Sequence, residues 1–215
     1  MRIAIAEDMM MVREFYEKVC REHGHEVVTT TPNVSDIVAL CITHQPDILL
    51  LDVRLVGGDG LNTIRPLRKN VPAMRIVVIT AHLTPYVIQR LAQTPVEGFI
   101  DLKTQAPTAI AETLTNVGNG RTCFPPYFRQ AVHQQRHDSR HFSKLLSARE
   151  QTVLGLIGRS MSDEEIAQQL KIAPRTVADH RSNLLHKLQL ANTSKLIAYA
   201  IQVGIVAQNL IDPFI

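Results

Sequence analysis

The sequence of 215 residues contains no tryptophan, and only 5% of its residues are aromatic. Its three cysteines are an odd number without the spacing of zinc ligands, which argues against a disulfide framework and a structural zinc site. No apolar run approaches the roughly 18 to 20 residues that span a bilayer, and acidic residues interrupt the N-terminus before a signal-peptide core can form. These absences predict a cytoplasmic protein with reduced thiols and no membrane association.

A strong charge of one sign is also missing. The formal net charge is +3, and 45% of the residues are hydrophobic, the balance of a folded globular protein. Residues 145–215 hold seven basic and six acidic side chains, a smaller basic excess than nucleic-acid-binding domains usually carry. Composition alone therefore supports DNA binding only weakly, and a prediction of DNA binding must rest on sequence motifs.

The hydrophobic pattern changes along the chain and predicts two domains with a linker between them. Residues 1–118 alternate short apolar runs with amphipathic segments, which predicts an α/β doubly wound domain with a five-stranded parallel sheet. Residues 119–144 are polar, basic and proline-bearing, as linkers often are. Residues 145–215 show no strand-like alternation and predict an all-α domain of four helices.

The predicted strands of the first domain are short apolar runs separated by segments of helical spacing. The strands are Ile3–Ala6, Val27–Thr30, Ile48–Leu51, Ile76–Ile79 and Gly98–Ile100. The helices lie near Met11–Glu22, Ser35–Thr43, Asn62–Lys69, Tyr86–Thr94 and Ala109–Asn116.

Polar residues follow the carboxyl ends of four of these strands, the edge at which open α/β sheets bind ligands. Glu7 and Asp8 follow the first strand and Asp52 the third, so three carboxylates should meet and repel unless a cation such as Mg²⁺ lies between them. Thr80 and Lys103 follow the last two strands. Together these groups suit phosphoryl transfer with Asp52 as nucleophile, although a single aspartate at a strand end is more often a helix cap.

These motifs resemble the receiver domain of bacterial two-component response regulators over residues 1–117. The residues that carry the resemblance are Glu7-Asp8, Asp52, Asp59-Gly60, Thr80-Ala81, and Gly98-Phe99 followed by Lys103.

The resemblance implies a flavodoxin-like fold in which a sensor histidine kinase phosphorylates Asp52. It implies that Thr80 and Lys103 bind the phosphoryl group and that Phe99 is a switch aromatic that turns inward. The implied Mg²⁺ ligands are Glu7, Asp8, Asp52 and the backbone carbonyl of Arg54.

One departure from the family pattern concerns the lysine. The family's lysine lies three residues after the switch aromatic, whereas Lys103 lies four after Phe99. Because strand side chains alternate between faces, one extra residue turns the side chain to the other face. Either a bulge past Asp101 restores Lys103, which we favour, or Leu102 takes its place, or the switch position is Ile100.

Helix-start signals divide the second domain. Ser147-Ala-Arg-Glu150 and Ser162-Asp-Glu-Glu165 are capping boxes, Pro174 suits a first helical position, and a fourth helix begins near Thr193. The turn Lys171–Ala173 is short enough for a helix-turn-helix. This part resembles the LuxR/NarL group of regulators, and the matching residues include Leu146–Glu150, Glu165–Ala167, Thr176-Val177, His180 and Lys187-Leu188.

The third helix of this domain is the predicted DNA-recognition helix, and its periodicity separates a buried side from a side that faces a major groove. The predicted groove-facing residues are Arg175, Ala178, Asp179, Ser182 and His186. The residues predicted on a flanking edge, suited to phosphate contacts, are Thr176, His180, Asn183 and Lys187.

The sequence therefore predicts a DNA-binding response regulator, and not an enzyme, that forms a homodimer on double-stranded DNA when Asp52 is phosphorylated. Two half-sites would compensate for the weak basicity of one copy. The alternative is an atypical receiver that needs no phosphorylation and serves as an interaction or dimerisation module. An aspartyl-phosphate phosphatase would need a second acid at the position of Arg54, which argues against that activity.

Overall fold

The computed structural model describes residues 1–138 and 141–206, so the last nine residues of the predicted domain 145–215 lie outside the described residues. The chain divides into two compact units, one comprising Met1–Leu83 and Arg90–Gln130 and the other comprising Thr84–Gln89 and the chain from Ala131 onward. No helix in the described part of the chain has both the length and the hydropathy that crossing a bilayer requires.

Strands and helices alternate from the N-terminus to Gly118. The strands are β1 (Arg2–Ala6), β2 (Glu26–Thr31), β3 (Ile48–Asp52), the two-residue strands β4 (Arg54–Leu55) and β5 (Gly58–Asp59), β6 (Arg75–Thr80) and β7 (Gly98–Asp101). The helices are α1 (Met10–Glu22), α2 (Ile37–His44), α3 (Ile64–Asn70), α4 (Pro85–Ala92) and α5 (Thr108–Gly118). A 3₁₀ turn at Gly60–Thr63 precedes α3.

The main sheet has five parallel strands in the order β2-β1-β3-β6-β7, which confirms the predicted doubly wound fold. The order changes direction between β1 and β3, and this switch point is where such sheets bind ligands. Ala6 pairs with Leu51, and Asp52 pairs with Ile79, so β1, β3 and β6 end level with one another. Each residue of Ile48–Leu51 is at most 1% exposed because β3 is central in the sheet.

The predicted linker 119–144 contains regular structure. Cys123 exchanges backbone hydrogen bonds with the β7 side of the sheet, donating to the Glu97 carbonyl at 2.8 Å and accepting from the Phe99 amide at 2.9 Å. The chain then forms helix α6 (Pro126–His137) and the single turn α7 (Phe142–Leu145). Aromatic packing at the start of α6 explains this order, and the boundaries at 118 and 144 stay a prediction.

The second unit is helical, as predicted. Its helices from Ala148 onward are α8 (Ala148–Gly158), α9 (Asp163–Leu170), α10 (Pro174–Leu188) and α11 (Thr193–Val203). Both predicted capping boxes form, with Ser147 capping α8 and Ser162 capping α9. The left-handed Lys171 ends α9, and Pro174 opens α10 three residues later. These caps produce the short turn that a helix-turn-helix requires.

Candidate functional site

Three carboxylates meet at the carboxyl edge of the sheet. Glu7 and Asp8 directly follow β1, and Asp52 is the last residue of β3. One oxygen from each carboxylate lies within 4.8 Å of the others, and Glu7 is only 3% exposed. The sheet register causes this meeting, since it aligns the ends of β1 and β3. Three close carboxylate oxygens form a donor set that fits a hard divalent cation.

The electrostatics of the cluster show how poorly it tolerates three negative charges. Burial, with a contribution from the Asp52 charge, raises the pKa of Glu7 to about 7, although the Met9 amide opposes the shift. Burial also raises the pKa of Asp52 to about 6, while the amides of Val53 and Arg54 and the Thr80 side chain oppose that shift. A bound cation would oppose both shifts, because it favours the ionised carboxylates.

The loop after Asp52 folds back onto it. The Gly60 amide donates to the Val53 carbonyl at 2.9 Å, and a Cβ atom at Gly60 would collide with the backbone carbonyl of Asp52. This close approach explains the Asp59-Gly60 motif found in the sequence. Arg54 lies in this loop, two residues beyond Asp52, and its amide also interacts with the Asp52 carboxylate. The predicted metal-binding role of its carbonyl stays a prediction.

Thr80 ends β6 beside the acidic cluster, as the sequence predicts. It is 1% exposed, and its hydroxyl group accepts a hydrogen bond from the His82 amide at 3.2 Å. The hydroxyl also interacts with the Asp52 carboxylate and lowers its pKa. Thr80 is therefore placed to contact any group attached to Asp52.

Lys103 lies on the rim of the site. Strand β7 pairs with β6 without a register shift, ends at Asp101, and is followed by a turn that holds the exposed Lys103. Leu102 packs against the core and so does not take the place of the lysine. Both residues are described, and no ion pair within 4.0 Å joins Lys103 to Asp52. The charge of Lys103 does reach His82, whose pKa is lowered by partial burial first and then by Arg54 and Lys103.

Asp101 is a buried acid for which sequence reasoning found no partner. It is 3% exposed and accepts hydrogen bonds from the hydroxyl groups of Tyr127 and Thr104, each at 2.9 Å, and from the Lys103 amide at 3.0 Å. Burial, together with Asp101, raises the pKa of Tyr127 to about 12. A carboxylate inside a buried strand indicates that hydrogen-bond donors lie nearby. No local sequence pattern, however, identifies Tyr127 of α6 as one of these donors.

Phe99, the predicted switch aromatic, faces inward. Its side chain is fully buried, and its ring centroid lies 5.1 Å from that of Phe128 in α6. Phe124 stacks on Phe128, and their ring centroids lie 5.5 Å apart. These contacts tie the start of α6 to β7, which is why the predicted linker is ordered there.

The helix α10 presents the predicted DNA-facing side to solvent. Val177 and Leu184 are fully buried on its opposite side, which fixes the orientation of the helix in its unit. His180 is the half-buried member of the predicted set. The exposed members are Arg175, Thr176, Ala178, Asp179, Ser182, Asn183, His186 and Lys187.

Two cations of α10 are bound within the unit. Lys187, predicted to contact DNA phosphate, forms an ion pair with the buried Glu150 at 2.8 Å. Arg181, which the helical periodicity places nearer the core, pairs with Asp163 and donates to the Thr193 hydroxyl at 3.3 Å. Arg175 has no ion-pair partner among the residues that the structure describes. The structure thus gives Lys187 an intramolecular role that its sequence position does not reveal.

Comparison with known proteins identifies the chain. Residues 3–115, more than half of it, match the family described as response regulator receiver domain. The chain belongs to the response regulators. Residues 144–200 of this response regulator match a second family, described as bacterial regulatory proteins, luxR family. The predicted family is confirmed, and the response regulator combines a receiver domain with a LuxR-type DNA-binding domain.

Relatives of similar length support this assignment. Response regulator protein VraR of Staphylococcus epidermidis is 25% identical over 206 residues, covering 95% of this chain and 98% of the relative. VraR of Staphylococcus aureus is 24% identical with the same coverage. The RcsB response regulator of Salmonella typhimurium has a TM-score of 0.70 at 22% identity, covering 94% of this chain and 98% of that one. A second structure, of RcsB from Salmonella enterica serovar Typhimurium, is bound to a promoter in the presence of a phosphomimetic. Its TM-score is 0.63 at 23% identity, with the same coverage of both chains. The structural likenesses show the fold.

The raised pKa values of the cluster predict how stability depends on pH. Without a divalent cation, the folded response regulator retains protons on Glu7 and Asp52 that the unfolded chain has released, so its free energy of unfolding should fall as pH rises from about 4 to about 7. Asp52→Asn should raise stability at pH 7 by ~2 kcal/mol and flatten this dependence. Urea unfolding in EDTA at several pH values measures the free energy of unfolding, and the Glu112→Gln variant, which changes an exposed acid, is the control. An Asn variant less stable than wild type at pH 7 would contradict the prediction.

The Lys187–Glu150 pair predicts a stability effect separate from DNA binding. Burial alone would raise the pKa of Glu150, but Lys187 and Ser147 outweigh it and hold the pKa below its usual value. Lys187→Ala should therefore destabilise the chain by ~1 kcal/mol at neutral pH, an effect that diminishes as pH falls and Glu150 becomes protonated. Calorimetric melting at pH 7 and pH 4 tests this. Exposed Lys195→Ala, which breaks no ion pair, should leave the melting temperature unchanged; an equal loss in both variants would count against the pair.

Proposed function

We propose that this response regulator is a transcription factor whose Asp52 accepts a phosphoryl group from a sensor histidine kinase, and that phosphorylation promotes dimerisation and DNA binding through α10. The observation that carries the proposal is the meeting of Glu7, Asp8 and Asp52 within 4.8 Å at the sheet's carboxyl edge. This arrangement places a nucleophile beside ligands for a cation that can neutralise phosphate.

The proposed transfer needs little from the protein beyond positioning. An oxygen of the Asp52 carboxylate attacks the phosphorus of a phosphohistidine; the new P–O bond forms as the P–N bond breaks, and the imidazole nitrogen leaves with the electron pair. The Val53 amide, which donates to Asp52 at 2.7 Å, orients the carboxylate. Mg²⁺ held by Glu7, Asp8, Asp52 and the proposed Arg54 carbonyl would supply positive charge to the phosphoryl oxygens.

Thr80 and Lys103 have different parts in the proposed switch. Thr80 already interacts with the Asp52 carboxylate, so its hydroxyl can donate to a phosphoryl oxygen without a large movement. Lys103 lies on an exposed turn, and its flexible stem would have to extend over the edge to reach the same group. We propose that this extension, together with the inward packing of Phe99, distinguishes the phosphorylated state from the unphosphorylated one.

The receiver could instead act without phosphorylation. The observation that favours this alternative is the rim position of Lys103, which makes no ion pair within 4.0 Å with Asp52, both residues being among those described. In that case the receiver would serve as an interaction or dimerisation module for the same DNA-binding unit. The two functions differ in whether Asp52 is modified.

For DNA recognition, we propose that α10 enters a major groove with Arg175 toward the bases. Arg175 lies in the first turn of α10, where recognition helices contact base edges, and it is exposed without an ion-pair partner among the described residues. Thr176, His180 and Asn183 are proposed to contact phosphates, while Asp179 can accept from a cytosine amino group. Because Arg175 is the one lysine or arginine of α10 that forms no ion pair with the described residues, two copies on adjacent half-sites would share the binding.

Phosphorylation is tested with purified protein, Mg²⁺ and a small-molecule phosphodonor. The expected product is an acyl phosphate, stable to acid and labile to base, that forms on wild type and is absent from Asp52→Asn. Asp47→Asn, which changes an exposed acid at the opposite end of β3, should be phosphorylated like wild type. No acyl phosphate on wild type, or equal labelling of the Asp52→Asn variant, would exclude the switch and favour the alternative.

DNA recognition is tested on duplexes selected by the protein from a random pool, with and without a phosphoryl mimic. Arg175→Ala should weaken binding to the selected sequence about tenfold and broaden its preference, because a bidentate base contact contributes ~1 to 3 kcal/mol of discrimination. Fluorescence anisotropy measures the affinities. Arg159→Ala, which removes an exposed arginine at the end of α8, is the matched control. The same loss on unrelated DNA, or in both variants, would contradict the role of Arg175.

A further inference from the structure

Tyr16 of α1 has a buried hydroxyl group that none of the roles assigned above requires. The side chain is 1% exposed and packs in the core with residues of β1 and β3. Its hydroxyl oxygen is buried and has no hydrogen-bond partner among the residues that the structure describes. A buried hydroxyl without a partner costs free energy that a phenylalanine of the same shape would not. The Tyr16 hydroxyl is therefore a buried polar group for which the described residues supply no hydrogen-bond partner.

The direction of the Tyr16 side chain identifies where that partner would lie. Helix α1 begins at Met10, two residues after Asp8, and helical side chains lean toward the N-terminus of their helix. The phenol consequently reaches back toward the edge at which β1 ends. Burial is the largest cause of the raised pKa of Tyr16, and the negative charges of Glu7 and Asp52 both add to it. The hydroxyl is thus within electrostatic reach of two members of the acidic cluster.

The start of α1 is itself fixed to this cluster. The guanidinium of Arg13 donates to the backbone carbonyl of Glu7 at 2.7 Å, and the Met9 amide donates to one carboxylate oxygen of Glu7 at 3.0 Å. These contacts hold Glu7 and the first turns of α1 together. Tyr16 lies on the same helix, so its hydroxyl keeps a defined position relative to the cluster.

We propose that Tyr16 is a positioning residue of the acidic site, whose hydroxyl gains its hydrogen-bond partner when a divalent cation binds. The partner would be a water molecule that the cation brings into the site. Mg²⁺ retains several such waters in proteins, and groups beyond the direct ligands commonly orient them. The inference rests on the proposed function, because it assumes that Glu7, Asp8 and Asp52 hold the cation.

The test compares wild type with Tyr16→Phe, which keeps the ring and removes only the hydroxyl. Calorimetric titration with Mg²⁺ should give a dissociation constant about fivefold weaker for the variant, the loss expected for one hydrogen bond. The chain has no tryptophan and four tyrosines. Mg²⁺ should therefore produce a tyrosine absorbance difference in wild type that Tyr16→Phe loses, and Tyr199→Phe in the second unit should keep both properties.

Thermal stability separates positioning from packing. Without Mg²⁺, Tyr16→Phe should melt at the same temperature as wild type or slightly higher, since a partnerless buried hydroxyl has been removed. The rise in melting temperature caused by Mg²⁺ should be smaller in the variant, and this difference is insensitive to a general loss of stability. Equal Mg²⁺ dissociation constants in wild type and Tyr16→Phe would overturn the inference alone. A wild-type protein that binds no Mg²⁺ and forms no acyl phosphate would overturn it together with the proposed function.

Discussion

Repulsion between the carboxylates of Glu7, Asp8 and Asp52 is the constraint on which the receiver site depends. The order of the parallel strands creates it, because β1 and β3 are neighbours and end at the same level. Burial then makes the charges harder to accommodate, and the pKa values of Glu7 and Asp52 rise as a result. The fold therefore keeps at its edge three carboxylates that a bound cation would stabilise in their ionised form.

The surrounding structure supports that edge with backbone contacts. The central strand β3 is buried along its apolar residues and delivers Asp52 at its end. The loop beyond it returns so closely that Gly60 has no space for a side chain against the Asp52 backbone. At the end of the neighbouring strand β6, the Thr80 hydroxyl accepts a hydrogen bond from the His82 amide two residues later. These contacts place the Asp52 carboxylate and the Thr80 hydroxyl next to each other at the edge of the sheet.

Much of the fold was predictable from local sequence. Apolar runs located all five strands of the main sheet, and the serine and glutamate of each capping box located the starts of α8 and α9, because these signals act over a few residues. The acidic cluster and Thr80 were predictable too, since the carboxyl ends of parallel strands share one edge.

The remaining features depend on contacts between distant residues. The turn after Asp101 leaves Lys103 on the rim, and the Tyr127 hydroxyl bonded to Asp101 comes from a segment that resembled a linker. The pairing of Lys187 with Glu150 joins residues 37 positions apart, so helical periodicity alone showed an exposed cation and not its partner. Such pairs form between residues that are distant in the sequence, so the local sequence around each residue does not reveal its partner.

The internal ion pairs of α10 affect how the regulator would respond to its ionic surroundings. A cation that is already neutralised by a carboxylate of its own unit, as Arg181 is by Asp163, displaces few counterions when it approaches a phosphate. Arg181 and Lys187 would then add little to counterion release, which would reduce the dependence of DNA affinity on salt concentration. Under the function proposed above, occupancy of a promoter would depend on base recognition and on the pairing of two copies more than on a general attraction to nucleic acid.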